Sequence, residues 1–281
     1  MLKEYIKKIP GVMAVRNFQL AFNAPLSTII DSHKKIKKFK GKYVGKRCFI
    51  IGNGPSLIPE DLNLIKDEIS FAANTIYKIF PRTEWRPTFY CVQDNNVLKE
   101  IVSEGVSEST FNNCEASFVR VYSSHIISGT GIRLKNLIYI PIISKETSRY
   151  SAPFSKAADK YVFDGSMVTY LALQLAVYMG FSEIYLLGMD HNFPYSYNRE
   201  GKLVTNDVNK AVHFWESAEE NKDQSRILLH ANYQEFAENS YREAKEFCEK
   251  DGSITIYNAT RGGKLEVFER VDLEKIVNGG V

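Results

Sequence analysis

The order of apolar and polar positions along the chain predicts a regular alternation of strands and helices. Short, continuous apolar runs that end in glycine or polar residues are typical of strands buried on both faces of a parallel sheet. Such runs occupy residues 47–52, 69–74, 88–93, 116–122, 137–143, 183–188 and 253–258. Because helical segments separate most of them, the pattern predicts an α/β protein with a doubly wound, mostly parallel sheet.

Four segments have the spacing or composition of helices. Residues 59–68 place apolar side chains on one face and acidic residues in the first turn. Residues 166–180 are almost wholly apolar and end at a glycine, which predicts a central, buried helix. Residues 208–222 and 230–250 are also predicted helices. The polar, Tyr- and Asn-rich residues 190–210 are predicted to form an ordered loop or lid.

The chain is predicted to form one Rossmann-like domain, residues 44–281, behind a basic helical extension over residues 1–43. Its 281 residues are 44% hydrophobic and 25% charged, a composition that excludes a disordered chain. No apolar run approaches the roughly 18 residues of a membrane-spanning helix. The N-terminus also lacks the unbroken apolar segment of a secretory signal.

Cysteine usage points to a reducing compartment. The four cysteines are scattered without a C-x-x-C pair: Cys48, Cys91, Cys114 and Cys248. Two of them lie in apolar runs, where a buried free thiol is the ordinary expectation. We therefore expect a cytoplasmic protein.

Positive charge is concentrated near the N-terminus. Residues 1–47 contain 12 Lys or Arg and two acidic residues, whereas the remainder has 24 basic and 31 acidic residues. A basic, partly apolar leader on an acidic body could contact anionic lipid at the inner face of the membrane. The alternative, which we favour, is a solvated helix packed on the domain. Nucleic acid is not expected as a partner, because the body has no basic stripe interleaved with aromatic residues.

The turn after the first predicted strand has the features of a phosphate-binding loop. Gly52, Asn53 and Gly54 let the backbone turn tightly and approach a ligand, and Ser56 is placed to cap the next helix or donate its hydroxyl. Leu57 replaces the third glycine of a dinucleotide fingerprint, and no Walker lysine follows. A plain structural turn is the alternative.

Polar residues also follow other predicted strands, at the edge where parallel sheets bind ligands. Asn74 follows the second strand, Asp94 the third and Asp190 the sixth. Gly165 and Ser166 open the apolar helix, whose free N–H groups favour an anion. Asn74 and Asp94 have the alternative of capping a helix. These residues are predicted to bind a nucleotide together with the glycine-rich turn.

Metal and serine-nucleophile chemistry have little support in the sequence. The acidic residues and histidines show no recognisable metal-ligand spacing, so we predict no metal site and no required cofactor. A G-x-S-x-G nucleophile elbow is absent. Arg261 follows the last predicted strand, where it either contacts an anionic donor group or belongs to a surface turn with two glycines.

The chain resembles the bacterial MptE-like family in five segments within residues 44–272: IIGNGPSL, FAANTIY, WRPTFYCVQD, GSMVTYLALQLAVYMGFSEIYLLGMD and IYNATRGGKLEVF. That family is named after an archaeal 6-hydroxymethylpterin diphosphokinase, and many bacterial members look like products of surface-polysaccharide gene clusters. The first and fourth segments are also similar to the family 42 sialyltransferases. Those enzymes transfer sialic acid from a CMP donor on a modified Rossmann fold without an obligatory metal.

The sialyltransferase likeness implies roles for matching positions. Six residues would hold the donor nucleotide: Asn53, Gly54, Ser56, Asn74, Gly165 and Ser166. Tyr197 falls near the tyrosines that hydrogen-bond the departing phosphate, and a neutral histidine would accept the proton of the acceptor hydroxyl. The segment that carries this base does not align cleanly, so His213 and His230 are both candidates. We favour His213, because it follows the Tyr-rich loop as the base does in that family.

The resemblance implies an inverting, metal-independent glycosyltransferase with a nucleotide-activated, CMP-linked sugar donor. The acceptor would be a glycan or a lipid-linked sugar in surface-polysaccharide synthesis, and we expect a homo-oligomer. The first alternative is a diphosphokinase that moves pyrophosphate from ATP to a pterin-like alcohol, with Mg²⁺ held by Asp94 and Asp190. The second is a non-catalytic nucleotide-binding accessory protein.

Overall fold

An eight-stranded, wholly parallel sheet forms the centre of the fold. The computed structural model describes residues 25–197, 202–205, 211–215 and 224–279. The sheet strands are β1 Arg47–Ile51, β2 Ser70–Ala73, β3 Phe89–Val92, β4 Ala116–Arg120, β5 Leu137–Ile140, β8 Glu183–Leu187, β11 Thr255–Asn258 and β12 Glu269–Arg270. Their spatial order is β12-β11-β8-β1-β2-β3-β4-β5.

Helices connect the strands on both faces of the sheet. They are α1 Leu26–Lys37, α2 Pro59–Leu64, α3 Asn95–Ser103, α4 Ser107–Phe111, α5 Ser124–Ser128, α6 Val168–Met179, α7 Gln224–Asp251 and α8 Leu273–Val277. Two 3₁₀ segments cover Asn74–Arg82 and Val121–Ser123. A parallel pair, β6 Ile142–Ile143 with β7 Val162–Phe163, and an antiparallel pair, β9 Tyr195–Tyr197 with β10 Leu203–Thr205, lie outside the main sheet.

The sheet is doubly wound, as the alternation of strands and helices predicted. From β1 the chain adds β2 to β5 on one side and then returns to add β8, β11 and β12 on the other. Ile51 at the end of β1 pairs with Leu187 at the end of β8. The carboxyl ends of β1 and β8 therefore lie side by side where the strand order reverses, which is where open α/β sheets bind ligands.

The apolar runs form strands because both of their faces are covered. In β1, Cys48 and Ile50 pack into one core cluster with α6, while Phe49 and Ile51 pack into a second cluster on the opposite face. Helix α6 is apolar almost all round because it is buried within the first of these clusters. It ends at Gly180, which adopts a left-handed φ of 91°.

Several element boundaries differ from the sequence predictions. Helix α6 begins at Val168 rather than at Ser166, whose φ of 61° is left-handed. Residues 211–215 form bends and a turn instead of part of the predicted helix 208–222, and the rest of that segment lies outside the described residues. The predicted loop at residues 190–210 contains the β9–β10 pair among its described residues. Strand β12 and helix α8 were not predicted.

Helix α1, the described part of the predicted extension, packs on the edge of the sheet. Its Ile36 is buried in the core, as is Phe39 just after the helix. The Ser32 hydroxyl accepts the Tyr139 N–H at 3.0 Å, which satisfies a backbone donor of the edge strand β5. Residues 1–24 lie outside the described residues. Among the helices that are described, none combines the length and hydropathy needed to cross a bilayer.

The four cysteines are all buried and free, as expected for the two in apolar runs: Cys48, Cys91, Cys114 and Cys248. Burial raises the pKa of every one of these thiols, so they remain protonated at neutral pH. They are therefore structural components of the core.

Candidate functional site

A cleft of about 250 Å³ opens at the switch point of the sheet, over the carboxyl ends of β1, β2 and β8. The turns that follow these three strands form its floor, and the start of α6 forms one wall. A side chain of α7 and residues of the 211–215 segment complete it. The residues that line it are Gly52, Asn53, Gly54, Ala73, Asn74, Ser166, Met167, Val168, Thr169, Gly188, Met189, Asp190, His191, Asn192, Phe193, Val212, His213, Tyr241 and Leu265.

The glycines after β1 are required by the close approach of the turn after β8. A Cβ on Gly52 would lie 2.5 Å from the Gly188 carbonyl oxygen, and one on Gly54 would lie 1.9 Å from Oδ2 of Asp190. Ser56 donates its hydroxyl to the same Oδ2 at 2.6 Å. Burial raises the pKa of Asp190, and the hydrogen bonds from Ser56 oppose that rise. The two turns thus form one interlocked unit.

The start of α6 supplies free backbone N–H groups to the cleft. Met167 is the N-cap and no side chain caps the helix, while Val168 and Thr169 also line the cleft. Uncapped N–H groups at a helix N-terminus favour a bound anion. The sequence predicts an anion site at the start of this helix, and it also predicts a phosphate-binding loop at the glycine-rich turn that precedes another helix. That helix, α2, begins at Pro59, which has no N–H, and its start is not part of the cleft lining.

Four buried polar atoms of the cleft have no hydrogen-bond partner. They are Oδ1 of Asn53, Oδ1 of Asn74, Nε2 of His191 and Oδ1 of Asn192. The Asn53 amide is oriented by its own Nδ2, which donates to the Ala73 carbonyl at 3.0 Å and leaves the oxygen as an unused acceptor. Buried polar atoms are rarely left unsatisfied in proteins, so the three amide oxygens among these atoms indicate a ligand that donates hydrogen bonds.

The backbone of the cleft is strained at three positions. Asn74, Ser166 and His191 have φ values of 52°, 61° and 49°, in the left-handed region that residues other than glycine rarely adopt. Strained residues of this kind persist where the surrounding structure fixes them, and they concentrate at functional sites. Ser166 is fixed by the Asp164 carboxylate, which accepts its N–H at 3.0 Å.

Family membership agrees with the sequence resemblance. A sequence model described as 6-hydroxymethylpterin diphosphokinase MptE-like matches residues 22–196, which is more than half of the chain. The protein belongs to the MptE-like family. No curated protein matches it.

A solved structure shares the fold of this MptE-like protein. It is the MAf glycosyltransferase from Magnetospirillum magneticum AMB-1, with a TM-score of 0.50 and 15% sequence identity. The match covers 88% of this chain and 39% of the other, so the chain spans about two fifths of that protein's length. At this identity the likeness shows a common fold.

The cleft contains most of the residues that the sequence predicted to bind a nucleotide. Those that line it are Gly52, Asn53, Gly54, Asn74, Ser166 and Asp190. Ser56 lies behind Asp190 and holds its carboxylate. His213, one of the two predicted bases, also lines the cleft, where its ring stacks on Trp215 at a centroid distance of 4.6 Å. The Phe214 N–H donates to the Asn53 carbonyl at 3.0 Å and connects this segment to the glycine-rich turn.

Besides Ser56, three predicted site residues that the structure describes in full lie outside the cleft lining. Asp94 is exposed and caps α3, accepting the Asn96 and Val97 N–H groups. Gly165 is buried, and a Cβ there would lie 2.4 Å from the Tyr170 ring. Arg261 forms a two-pronged pair with the buried carboxylate of Asp61, with contacts of 2.7 to 3.0 Å. The fold therefore does not bring Asp94 and Asp190 together, contrary to the arrangement expected for a magnesium site.

Two predicted catalytic side chains fall outside the described part of the structure. Tyr197 ends strand β9 and His230 lies in helix α7, but only their backbone positions are described. Their proposed roles therefore stay predictions.

Other cleft residues were not among the predicted site residues. His191, Asn192 and Phe193 directly follow Asp190, so their position after a buried strand was a usable signal. Tyr241 comes from the middle of α7, and its hydroxyl shares a 2.7 Å hydrogen bond with Thr169 at the start of α6. Its place in the cleft depends on helix packing and has no local sequence signal.

Proposed function

We propose that this MptE-like protein is a transferase that binds a nucleotide-activated sugar at the switch-point cleft and passes the sugar to an acceptor hydroxyl. The observation that carries the proposal is the uncapped start of α6 facing the glycine-rich turn across a cleft of unpartnered acceptors. The helix N–H groups suit the phosphate of the donor. The amide oxygens of Asn53, Asn74 and Asn192 suit ribose and sugar hydroxyls or an exocyclic amine, which all donate hydrogen bonds.

The charge of the cleft fits a leaving group of low charge. No lysine or arginine occurs among the described residues that line it. The negative charge of the phosphate would therefore be balanced by the helix terminus and backbone N–H groups. A nucleoside monophosphate, the leaving group of a CMP-linked sugar, carries less negative charge than a nucleoside diphosphate, so less charge must be balanced. The similarity to the CMP-dependent sialyltransferases in the segments around Asn53 and Ser166 also favours cytidine.

The glycosyltransferase with the same fold supports sugar transfer as the reaction class. Surface-polysaccharide synthesis on a glycan or lipid-linked acceptor is the corresponding process, and the basic residues of positions 1–47 would keep the enzyme near an anionic membrane. Under this proposal the reaction needs no metal ion. The nucleotide would be released after inversion at the anomeric carbon.

The family description supports a second candidate, an ATP-dependent diphosphokinase. Such an enzyme needs carboxylates that bind Mg²⁺ and bridge the phosphates. Asp190 is the single carboxylate among the described lining residues, and it is already held by Ser56. The described residues also contain no group of three or more His, Cys, Asp or Glu side chains arranged to hold a metal. We therefore favour the glycosyltransferase.

A thermal-shift screen with CMP, CDP, UDP, GDP and ATP, each with and without Mg²⁺, tests the proposal. A ligand that binds only the folded state at a hundredfold excess over Kd stabilises it by about 2.7 kcal/mol. We expect stabilisation by CMP or CDP that is independent of Mg²⁺. Stabilisation by ATP alone, and only with Mg²⁺, would overturn the proposal in favour of the diphosphokinase.

A pair of asparagine variants locates the binding site in the same screen. Asn53→Ala removes an unused acceptor in the cleft, whereas Asn113→Ala removes an exposed asparagine whose side chain bonds within its own turn. We expect the shift to be lost or strongly reduced in the first variant and kept in the second. An equal shift in both would place the nucleotide elsewhere.

A further inference from the structure

His191 combines burial, strain and an unsatisfied nitrogen inside the cleft. Its side chain is 4% exposed, its φ is 49°, and its Nε2 makes no hydrogen bond. Its ring packs edge-on against Phe193 and Tyr241, with centroid distances of 5.1 and 6.3 Å. Nothing in nucleotide binding as proposed above requires an imidazole at this position. A ring held this firmly against the cleft is therefore suited to another role.

Glu238 of helix α7 faces the Nε2 side of this ring. Its Oε2 lies 3.7 Å from Nε2, which is too long for a hydrogen bond but close enough for strong attraction to a protonated ring. Arg242 binds the other oxygen of Glu238 at 2.6 Å and keeps the carboxylate in place. Among the described residues that line the same cleft, the other titratable groups are Tyr241 of α7, the adjacent Asp190 and His213.

Resting on the proposed function, we propose that His191 is the general base of the transfer reaction and that Glu238 is its positioning residue. The acceptor oxygen bonds to the anomeric carbon of the donor while the bond from that carbon to the phosphate oxygen breaks. The phosphate leaves with the electron pair, and the hydroxyl proton moves to the imidazole. Glu238 stabilises the imidazolium that results, and the proton passes to solvent after the products leave.

We assign proton acceptance to Nδ1, because the Glu238 carboxylate beside Nε2 favours the tautomer with hydrogen on Nε2. Burial lowers the pKa of His191, and Glu238 only partly offsets the decrease. The ring is therefore neutral at pH 7, as a base must be before it accepts a proton.

His191 is better placed for this role than His213. It lies four residues after strand β8, and its buried ring packs against Tyr241 of helix α7. His213 is only partly buried, and its ring is stacked on Trp215. A buried ring packed against a core helix is held more exactly than a partly buried ring on a short segment, which favours His191.

The variant His191→Asn tests the base, with His125→Asn as the matched control. Asparagine tolerates the left-handed backbone at residue 191, so the variant should fold. His125 is exposed on α5, away from the cleft. We expect His191→Asn to bind CMP within about threefold of the wild type but to release CMP from a CMP-linked sugar about 10²- to 10⁴-fold more slowly in the presence of acceptor. Wild-type turnover in His191→Asn would overturn the proposal.

Titration of the histidine rings by NMR tests the pair without any turnover. In the free wild-type protein, we expect His191 to titrate below its ordinary value of about 6.5. Glu238→Gln removes the carboxylate charge and should lower that pKa further, whereas Glu238→Asp should lower it less. The acid limb of the rate profile should move to lower pH in the same order, an effect that a merely structural role would not produce. A His191 pKa that Glu238→Gln leaves unchanged would overturn the pairing.

The two proposals fail in different ways. If no nucleotide stabilises or binds the wild-type protein, the proposed function is wrong, whatever the histidine titration shows. If CMP binds and the donor turns over, but His191→Asn is fully active, only the assignment of the base is wrong.

Discussion

Asn53 and Asn74, at the ends of β1 and β2, differ sharply from Asp94 after β3 and Arg261 after β11, although the sequence places a polar residue at each of these positions. After β3, Asp94 is satisfied as a helix cap, and after β11, Arg261 is satisfied by Asp61. At the switch point, Asn53 and Asn74 keep buried acceptors without partners. The type of residue therefore does not identify the site. Unpartnered acceptors identify it only where they line the cleft, because Gln93 at the end of β3 also keeps a buried oxygen without a partner.

This difference has an energetic meaning. A buried polar group without a partner costs about 1–3 kcal/mol, and a residue held at strained φ adds a cost of similar order. Both kinds of cost coincide at Asn74 and His191. A ligand that donates hydrogen bonds would recover part of that free energy. Asp94 caps a helix and Arg261 pairs with Asp61, so neither has an unsatisfied hydrogen bond that a ligand would restore.

The largest effect is expected from Gly54→Ala. A methyl group there would overlap Oδ2 of Asp190 and the Gly188 carbonyl, so the two interlocked turns must separate. We expect CMP affinity to fall at least about a hundredfold, or about 2.8 kcal/mol, as measured by calorimetric titration. Gly129→Ala is the control, because its nearest neighbour is 4.0 Å away and its φ is −84°. Equal affinity in the two variants would mean that the turn is not part of the site.

An intermediate effect, on stability alone, is expected from Arg261→Ala. The variant leaves the Asp61 carboxylate, which is 3% exposed, without its guanidinium partner. Since Arg261 itself is half-exposed, we expect a loss of about 1–3 kcal/mol in the free energy of unfolding, measured with urea. Arg133→Ala, at an exposed arginine, should change it by less than about 0.5 kcal/mol. A tenfold loss of CMP affinity in Arg261→Ala would instead assign the end of β11 to the site.

The smallest effect is expected from Asp94→Ala. Loss of the cap on α3 should cost about 1 kcal/mol of stability, visible as a lower urea midpoint. CMP affinity should be unchanged, because Asp94 does not line the cleft. If the variant abolished a magnesium-dependent response to ATP, Asp94 would belong to the site. The contrast between Asp94 and the cleft residues would then be wrong, and the diphosphokinase would be supported.

Much of the fold could be predicted because buried parallel strands leave a direct signal. Runs such as residues 47–52 and 183–188 are apolar at every position, since both sheet faces are covered, and a glycine marks the end of each. The sequence predicted a doubly wound, mostly parallel sheet but not the order of its strands. The helix boundary at Val168 could not be predicted, because it depends on the bond between Asp164 and Ser166.

The site could be predicted to the extent that it depends on strand ends. Asn53, Gly54, Asn74 and Asp190 follow from that rule. The positions of Asp94 and Arg261 depend on partners elsewhere in the chain, so the same rule gave no information about them. Glu238 is separated from His191 by 47 positions and reaches it only through the packing of α7, which no local pattern indicates.

The most direct test of the central claim is a backbone-amide NMR titration of the deuterated protein with CMP in the presence of a chelator. The account predicts that the largest shifts occur at Asn53, Asn74, Val168, Thr169 and His191, with the signals of Asp94 and Arg261 unchanged. Shifts that cluster at the ends of β3 and β11, or no shifts until Mg²⁺ is added, would contradict it.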